Sequence, residues 1–421
     1  MEGLAEMTGF AAALLDEIRE ASLDPPGVTR ASYGPGEQRA HDIAARTGRA
    51  LGAKARVDAA GNLYLTLPGR DPSLPALVIG SHLDSVPHGG NFDGAAGVVA
   101  GLGVMAELAR RGVETERDLI VMAARAEEAV WFPLSYPGAE AALGRLPVSA
   151  LDARRADTGR TLAEHMAELG FDPGAVGRGV AQIAPDRIVG FVELHIEQGP
   201  RLLARGEPLG IVTAMTGGWR FPKARIFGAY AHSGAEPRFS RSDAVTGFAD
   251  LVAATEAIWD QLEAEGRELT ITFGRVESDP TQHGGSRVLG ELGFSLDVRC
   301  EFLEVLNRVE RELRQALATI EAHRRVRFDL GQSFNWAPAR MDPRLMAGLS
   351  AAAGRLSIPA APIPSGAGHD AAAFAAAGVP VAMVFVRNAN GSHNPDEAME
   401  AEDLGLGIAL LTEFVLTFGA G

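Results

Sequence analysis

Four apolar runs, each followed by histidine or carboxylate side chains, constrain this chain more than any other feature. In chain order those side chains are His82, Glu127 with Glu128, His195 and His393. Short apolar runs bounded by turn residues are typical of buried strands. In an open α/β sheet, ligands bind outside the carboxyl ends of the strands. The pattern therefore predicts one site at one edge of a sheet.

The stretch from Gly80 to Gly97 contains the first part of this predicted site. His82 and Asp84 end a strand, and Asp93 precedes an apolar-periodic segment that predicts a helix. A carboxylate at that position is a favoured N-cap. Imidazole and carboxylate ligands together suit a divalent transition metal, and Asp84 is suited to hold His82 in one tautomer. The alternative is a glycine-rich turn with a solvated histidine and a capping aspartate.

The other runs add ligand types that also have simpler explanations. Glu127 and Glu128 are adjacent, and neighbours on an extended segment point to opposite sides, so one can bind metal while the other faces substrate. A solvated surface pair is the alternative, and a lone histidine such as His195 is more often a hydrogen-bonded core residue. Together, however, three histidines and several carboxylates suit a two-metal site with a bridging carboxylate.

Length and composition limit the class of protein. The chain has 421 residues, a net charge of −15 and one cysteine, Cys300. The absence of a basic run disfavours nucleic acid as a partner, and a single cysteine fits a reducing compartment. Residues 1–22 predict an amphipathic helix and not a signal peptide, and no apolar run approaches the roughly 20 residues that span a bilayer. We expect a cytoplasmic protein with no membrane partner.

The order of predicted elements indicates an α/β protein in two domains. Residues 1–213 and 332–421 form a domain with a mixed sheet flanked by helices. Residues 214–331 predict an inserted α+β domain with the order βαββαβ, which is that of a ferredoxin-like unit. An exposed sheet edge or helices on such a unit can pair with a second copy, so we expect a homodimer through it.

Seven short motifs carry a resemblance to a known family. They are His82-Leu-Asp84, Asp93-Gly94, Glu127-Glu128, Glu193-Leu-His195-Ile-Glu-Gln198-Gly-Pro200, His232-Ser-Gly234-Ala-Glu-Pro237, Ser365-Gly-Ala-Gly-His-Asp370 and Ser392-His-Asn-Pro395. This set resembles the amidase and carbamoylase branch of the M20 metallopeptidase family, which includes N-carbamoyl-L-amino-acid hydrolases, beta-ureidopropionases and allantoate amidohydrolases. The resemblance covers essentially the whole chain, and the segment from Glu193 to Pro200 distinguishes this branch from dipeptidases and aminoacylases.

The resemblance implies a metallopeptidase-like catalytic domain that binds two divalent ions per chain. Zinc is the expected metal, and manganese, cobalt or nickel are the alternatives. One ion would be held by His82 and His195 and the other by Glu128 and His393, with Asp93 bridging them. Metals lower the pKa of water towards neutrality.

Two carboxylates would serve the chemistry. The resemblance implies that Asp84 orients His82 and that Glu127 is the general base. A carboxylate beside the metals can accept a proton from water and pass it to the leaving nitrogen.

The resemblance also implies a lid and dimerisation role for the inserted domain and a set of substrate contacts. Those contacts are Gln198, His232, Ser286, Arg299 and His369. Arg299 would bind a substrate carboxylate, since a planar guanidinium gives bidentate geometry. The alternative for Arg299 is a surface ion pair on a strand.

Several polar positions depart from the family pattern. Ala129-Val130-Trp131 replaces Gly-Ser-Arg, Ala139-Glu140 follows Gly138 where Ser-Arg or Ser-Lys is usual, Ser242 replaces a second arginine, and Ser286 replaces an asparagine. If Trp131 lines the pocket, it adds apolar contact area and favours a bulkier, less polar substrate. If it faces the core, the change is only repacking.

The sequence thus predicts a hydrolase that cleaves a C–N bond in a small carboxylated N-carbamoyl, ureido or related amide compound. The alternative enzyme is an aminoacylase or dipeptidase of the same superfamily. A catalytically inactive binding protein would need a lost ligand or base, and none is lost. A metal-stabilised structural protein would not need Glu127.

Overall fold

The computed structural model describes residues 3–418, so Met1 and Glu2 of the predicted first helix and residues 419–421 lie outside the described residues. The α-helices are α1 (Leu4–Ala21), α2 (Pro35–Ala50), α3 (Ala95–Arg111), α4 (Pro137–Ala142), α5 (Leu162–Glu168), α6 (Pro173–Gly177), α7 (Arg201–Arg205), α8 (Ala244–Ala264), α9 (Leu303–Arg324), α10 (Pro343–Leu356), α11 (Asp370–Ala376) and α12 (Ala401–Thr417). The strands are β1 (Leu23–Asp24), β2 (Gly27–Val28), β3 (Lys54–Val57), β4 (Leu63–Leu67), β5 (Ala76–His82), β6 (Leu119–Ala124), β7 (Ile188–Ile196), β8 (Leu209–Met215), β9 (Gly217–Phe227), β10 (Ala231–His232), β11 (Leu269–Thr272), β12 (Val276–Glu277), β13 (Arg287–Val288), β14 (Glu291–Cys300), β15 (Arg327–Asp329), β16 (Phe334–Trp336), β17 (Ala339–Arg340), β18 (Ala360–Ser365) and β19 (Val381–Val386). Among these helices, none is long and apolar enough to cross a membrane.

The chain divides into two compact units. The first comprises Met1–Thr213 and Arg340–Gly421, and the second comprises Ala214–Ala339. The second unit ends later than the predicted residue 331, because β16 pairs with β9 and so belongs to the same sheet.

The first unit is built on a mixed sheet flanked by helices. Its strand order is β17-β8-β19-β7-β5-β6-β4-β3, with β18 on β8. Strands β19, β7, β5 and β6 run parallel. The pairs β19–β8, β6–β4 and β4–β3 are antiparallel. Parallel strands are covered on both faces, which explains why β5 and β19 are buried throughout. The carboxyl ends of these four strands consequently lie along one edge of the sheet.

Helix α3 packs closely on this sheet because it is rich in small residues. A Cβ atom on Gly97 would come within 2.2 Å of the Leu194 carbonyl oxygen of β7. Helices α1 and α12 pack beside α3, and their apolar side chains join the main core. On another part of the sheet, Phe374 of α11 stacks on Phe191 of β7 with ring centroids 3.9 Å apart.

The second unit is an antiparallel sheet with two long helices. Its strand order is β11-β14-β9-β15, with β12 on β14 and β16 on β9. Alternate residues of β14 are buried, as expected for a sheet with one covered face. Helices α8 and α9 contribute the other side of this core. The main elements follow the predicted order βαββαβ, and a lid or dimerisation role for the unit stays a prediction.

A buried ion pair holds the loop that follows β6. Glu37 of α2 accepts a hydrogen bond from Arg125 Nη1 at 2.8 Å, and the side chains are 0% and 1% exposed. Glu37 also accepts the backbone N–H groups of Tyr33 and Ala126. Ala126 has a φ of 57°, a conformation that a non-glycine residue adopts only when its surroundings impose it.

Glu37→Ala should therefore destabilise the protein by about 3–5 kcal/mol, because it leaves the Arg125 charge buried and unpaired. The measurement is the urea-unfolding midpoint of the purified variant. Glu17→Ala is the matched control, since it breaks an exposed pair with Arg46 and should leave the midpoint unchanged. Equal shifts in the two variants would contradict the prediction.

Candidate metal centre

His82, Asp93 and His195 form one compact group of ligand atoms. His82 is the last residue of β5, and His195 lies near the end of β7. The Asp93 Oδ1 atom is 3.4 Å from His82 Nε2 and 3.2 Å from His195 Nε2. The two histidine Nε2 atoms are 3.5 Å apart. All three residues are buried.

Asp93, Glu128 and His393 form a second group that shares the same aspartate. His393 Nε2 lies 3.4 Å from Asp93 Oδ2 and 3.6 Å from Glu128 Oε1. Asp93 therefore presents one oxygen to each group. The structure brings together the five side chains predicted as metal ligands, and the pairing into two groups is the predicted one. Their role as ligands stays a prediction.

The geometry of both groups fits divalent ions. Two ligands at about 2.0–2.1 Å from a tetrahedral zinc ion lie about 3.3 Å apart, and the distances above are close to that value. The Glu128 Oε1 atom is buried and has no hydrogen-bond partner among the described residues 3–418. A buried carboxylate oxygen without a donor is costly, and a metal ion would satisfy it.

Asp84 connects the histidine to both glutamates. Its Oδ1 atom lies 3.3 Å from His82 Nδ1 and accepts the backbone N–H of Glu127 at 3.0 Å. Its Oδ2 atom accepts the N–H of Glu128 at 3.1 Å and the Ser32 hydroxyl. This arrangement matches the orienting role predicted for Asp84, and it adds a second role, since the same carboxylate fixes the backbone of both glutamates.

Asp93 does not cap helix α3, which differs from the sequence interpretation. The N-cap is Gly94, with a φ of 67°, and no side chain caps this end of α3 in the described residues. In the tight turn at Gly94 the Ala95 N–H donates to the Asp93 carbonyl at 2.7 Å, and the Asp93 carboxylate lies beside the histidines. A Cβ atom on Gly94 would come within 2.4 Å of the His82 ring, so this position requires glycine.

The charges of the cluster strongly perturb one another. Although burial alone raises the pKa of Asp93, the histidines His195, His393 and His82 hold that pKa well below its usual range. The hydrogen bond to Asp93 raises the pKa of His393 to about 9. Burial and the nearby Asp93 raise the pKa of Glu128 to about 7.

Glu127 lies at the same centre and remains outside both ligand groups. Its Oε2 atom is 3.9 Å from His82 Nε2, and its side chain is 12% exposed. Burial, followed by the neighbouring Glu128 carboxylate, raises the pKa of Glu127 well above its usual range, with His82 partly offsetting the effect. A carboxyl group with a raised pKa beside a metal site is suited to accept and return a proton.

The cluster opens into a cavity of about 200 Å³. Besides the ligands and Glu127, its lining includes Gln198, His369 and Tyr136. Gln198 donates from Nε2 to Asp93 Oδ2 at 2.7 Å. The His369 ring lies 4.3 Å from the His195 ring, and its Nε2 atom is 3.0 Å from Ser365 Oγ. Two of the predicted substrate contacts, Gln198 and His369, therefore line this cavity.

The other predicted substrate contacts belong to the second unit. His232 is exposed, and its Nδ1 atom accepts the backbone N–H groups of Gly234 and Ala235. The Ser286 carbonyl accepts the N–H of Ser233 at 2.8 Å. Arg299 donates from Nε to Asp297 Oδ1 at 2.8 Å, which is the ion pair weighed as its alternative. Their roles towards a substrate stay predictions.

Trp131 does not line the cavity. It is 6% exposed and packs in an apolar cluster with Tyr33, Phe132 and Leu162. Its indole Nε1 donates to the Ser85 carbonyl at 2.8 Å. The replacement of arginine by tryptophan is therefore repacking, and the inference of a bulkier substrate from Trp131 is wrong. A tryptophan in a buried cluster is favoured by its large apolar area once its N–H finds an acceptor.

Sequence reasoning missed two kinds of residue at this site. Tyr136 lines the cavity against Gly368, but it follows no strand and matches no ligand pattern. Glu397 accepts hydrogen bonds from the loop that bears Asp93, although the two lie far apart in the sequence. Ser392 belonged to a quoted motif, and its contact with Asp93 was not anticipated.

Comparisons with known proteins identify the family of this chain. Residues 78–417 match the model of peptidase family M20/M25/M40. The chain is 35% identical over 410 residues to an N-carbamoyl-L-amino acid amidohydrolase of Geobacillus stearothermophilus, with 97% of each chain covered. It is 30% identical over 392 residues to the allantoate amidohydrolase of Escherichia coli, with 92% of each covered.

A solved structure gives the same result at the level of the fold. The crystal structure of an amidase of the hydantoinase/carbamoylase family from Burkholderia multivorans aligns with a TM-score of 0.86 and 29% identity, covering 97% of both chains. The family match spans most of the sequence, including all five candidate ligands. This chain belongs to peptidase family M20/M25/M40, and it falls in the amidase and carbamoylase branch of that family.

Proposed function

We propose that this protein is a dinuclear-metal amidohydrolase that cleaves a C–N bond of a small N-carbamoyl, ureido or related amide compound carrying a carboxylate. The observation that carries the proposal is the pair of ligand groups that share Asp93, with Glu127 beside them. The relatives named as amidohydrolases of carbamoyl amino acids and of allantoate support hydrolysis of a C–N bond outside peptides.

His82 and His195 would hold one ion, Glu128 and His393 the other, and Asp93 both. When bound, such ions lower the pKa of water towards neutrality and polarise a carbonyl oxygen.

The remaining steps belong to residues of the chain. Asp84, which hydrogen-bonds the backbone of both glutamates, keeps Glu127 at the cavity. Glu127 would accept a proton from the attacking water and pass it to the leaving nitrogen. Gln198, which lines the cavity and is already hydrogen-bonded to Asp93, would contact the substrate.

The metal requirement can be measured directly. Protein purified without chelator should contain about two divalent ions per chain. Chelation should abolish hydrolysis of N-carbamoyl amino acids, and zinc, manganese or cobalt should restore it. Asp93→Ala should lose both ions, because both groups share this carboxylate, while the exposed control Asp71→Ala should retain them. Full activity of metal-free protein would exclude the proposal.

Glu127→Gln tests the general base, because it preserves the shape of the side chain and removes its proton acceptor. The variant should lose roughly 10²–10⁴ in kcat and keep the wild-type metal content. Glu128→Gln is the control, since it should lose metal as well as activity. Near-normal turnover of Glu127→Gln would show that another group is the base.

The substrate class can be tested with Arg299. We propose that its guanidinium binds the substrate carboxylate, so Arg299→Ala should lower kcat/KM by roughly ten- to hundredfold, the range for a charged hydrogen bond. Arg225→Ala is the matched control, since Arg225 pairs with Glu291 in the same sheet. The assay compares N-carbamoyl amino acids, allantoate, N-acyl amino acids and dipeptides. Preference for N-acyl amino acids or dipeptides would favour the aminoacylase or dipeptidase alternative.

A further inference from the structure

Glu397 is a buried carboxyl group behind the candidate metal centre that none of the steps above uses. It is 7% exposed and lies in the segment between β19 and α12, four positions after His393. Its carboxyl group faces the loop that precedes α3. A Cβ atom on Gly90 would come within 2.2 Å of Glu397 Oε1, so this loop lies directly against the carboxyl group.

The two oxygen atoms of Glu397 have different partners. Oε1 accepts the backbone N–H of Phe92 at 2.9 Å and that of Asp93 at 3.2 Å. Oε2 lies 2.5 Å from the Ser392 hydroxyl oxygen. One side chain thus fixes the backbone at the shared aspartate and the residue next to His393.

Ser392 extends this connection to the Asp93 side chain. Its hydroxyl oxygen is also 2.5 Å from Asp93 Oδ2, the oxygen that faces His393. Gln198 donates to the same oxygen at 2.7 Å. Glu397 therefore contacts Asp93 in two ways. It accepts the backbone N–H of Asp93 directly, and it reaches the Asp93 carboxylate through the Ser392 hydroxyl.

We infer that Glu397, acting with Ser392, is a positioning residue for the metal group formed by Asp93, Glu128 and His393. The inference rests on the proposed function, since it assigns a role towards the proposed ions. Groups that hydrogen-bond a ligating side chain fix its orientation, and their loss typically lowers metal affinity by about 10–100-fold. Glu397 contacts two elements of this group, the backbone of Asp93 and the side chain of Ser392, that are more than 290 positions apart in the chain.

The test measures metal affinity by competition with a chelating indicator, using zinc as the probe, and measures thermal unfolding of the metal-free protein separately. Glu397→Ala should weaken the binding of the ion held by Asp93, Glu128 and His393 by about 10–100-fold. The kcat of this variant should also be lower at subsaturating zinc. Glu397→Gln should retain most of the wild-type affinity, because its amide oxygen can accept both backbone N–H groups and its NH₂ group can donate to Ser392. Ser392→Ala should weaken the binding of the same ion, since it removes the contacts of the hydroxyl with Glu397 and with the Asp93 carboxylate. The bonds from the backbone N–H groups of Phe92 and Asp93 to Glu397 would remain.

Glu107→Ala is the matched control. Glu107 is a buried carboxylate of the same unit that pairs with Arg110 and Arg111. Its loss should lower the unfolding temperature and leave zinc affinity unchanged.

The outcomes separate this inference from the proposed function. Wild-type zinc affinity in Glu397→Ala, with only a lower unfolding temperature, would overturn the inference. Glu397 would then stabilise the fold without affecting metal binding. If Glu397→Ala does not fold, wild-type affinity in Ser392→Ala overturns it equally. Failure of the unaltered protein to bind two ions would instead overturn the proposed function.

Discussion

The parallel alignment of four strands is the constraint on which the rest of this structure depends. Strands β6, β5, β7 and β19 are neighbours and run in one direction, so the chain leaves each of them at the same edge of the sheet. The register pairs His82 with Ala124 and His195 with Phe385. Every candidate ligand other than Asp93 lies at or after one of these strand ends. Asp93 reaches the same edge through the loop between β5 and α3.

A cluster of buried carboxylates at that edge creates an electrostatic problem for the fold. Asp84, Asp93, Glu127 and Glu128 lie within a region that solvent barely reaches. Buried carboxylates remain ionised only when cations or hydrogen-bond donors are close. Asp84 is satisfied by donors of the chain itself, whereas the raised pKa values of Glu127 and Glu128 indicate that histidines alone do not compensate these two groups. Bound divalent cations would offset the remaining charge, which is a physical argument for metal that is independent of homology.

Several residues at this cluster have an unusual backbone conformation. Ala126, Gln198 and His393 all have positive φ values, which cost of order 1–3 kcal/mol each when the residue is not glycine. Hydrogen bonds hold two of these backbones in place, since Glu37 accepts the N–H of Ala126 and Asn388 accepts the N–H of Gln198. Strain of this kind is concentrated where side chains must converge, and the apolar core of α1, α3 and α12 behind the sheet supplies the stability that sustains it.

The sequence by itself determined which segments form the central strands, which ligand types follow them and to which family the chain belongs. These properties follow from the apolar pattern and residue type, which are local. Only the tertiary structure decided that Asp93 turns away from the helix end, that Trp131 enters an apolar cluster and that Glu397 holds the loop of Asp93. Each of these depends on a positive φ value, on packing among segments distant in the chain, or on a contact across 304 positions. Such features arise only when the whole chain has closed around its core, because no local pattern encodes which distant surfaces meet.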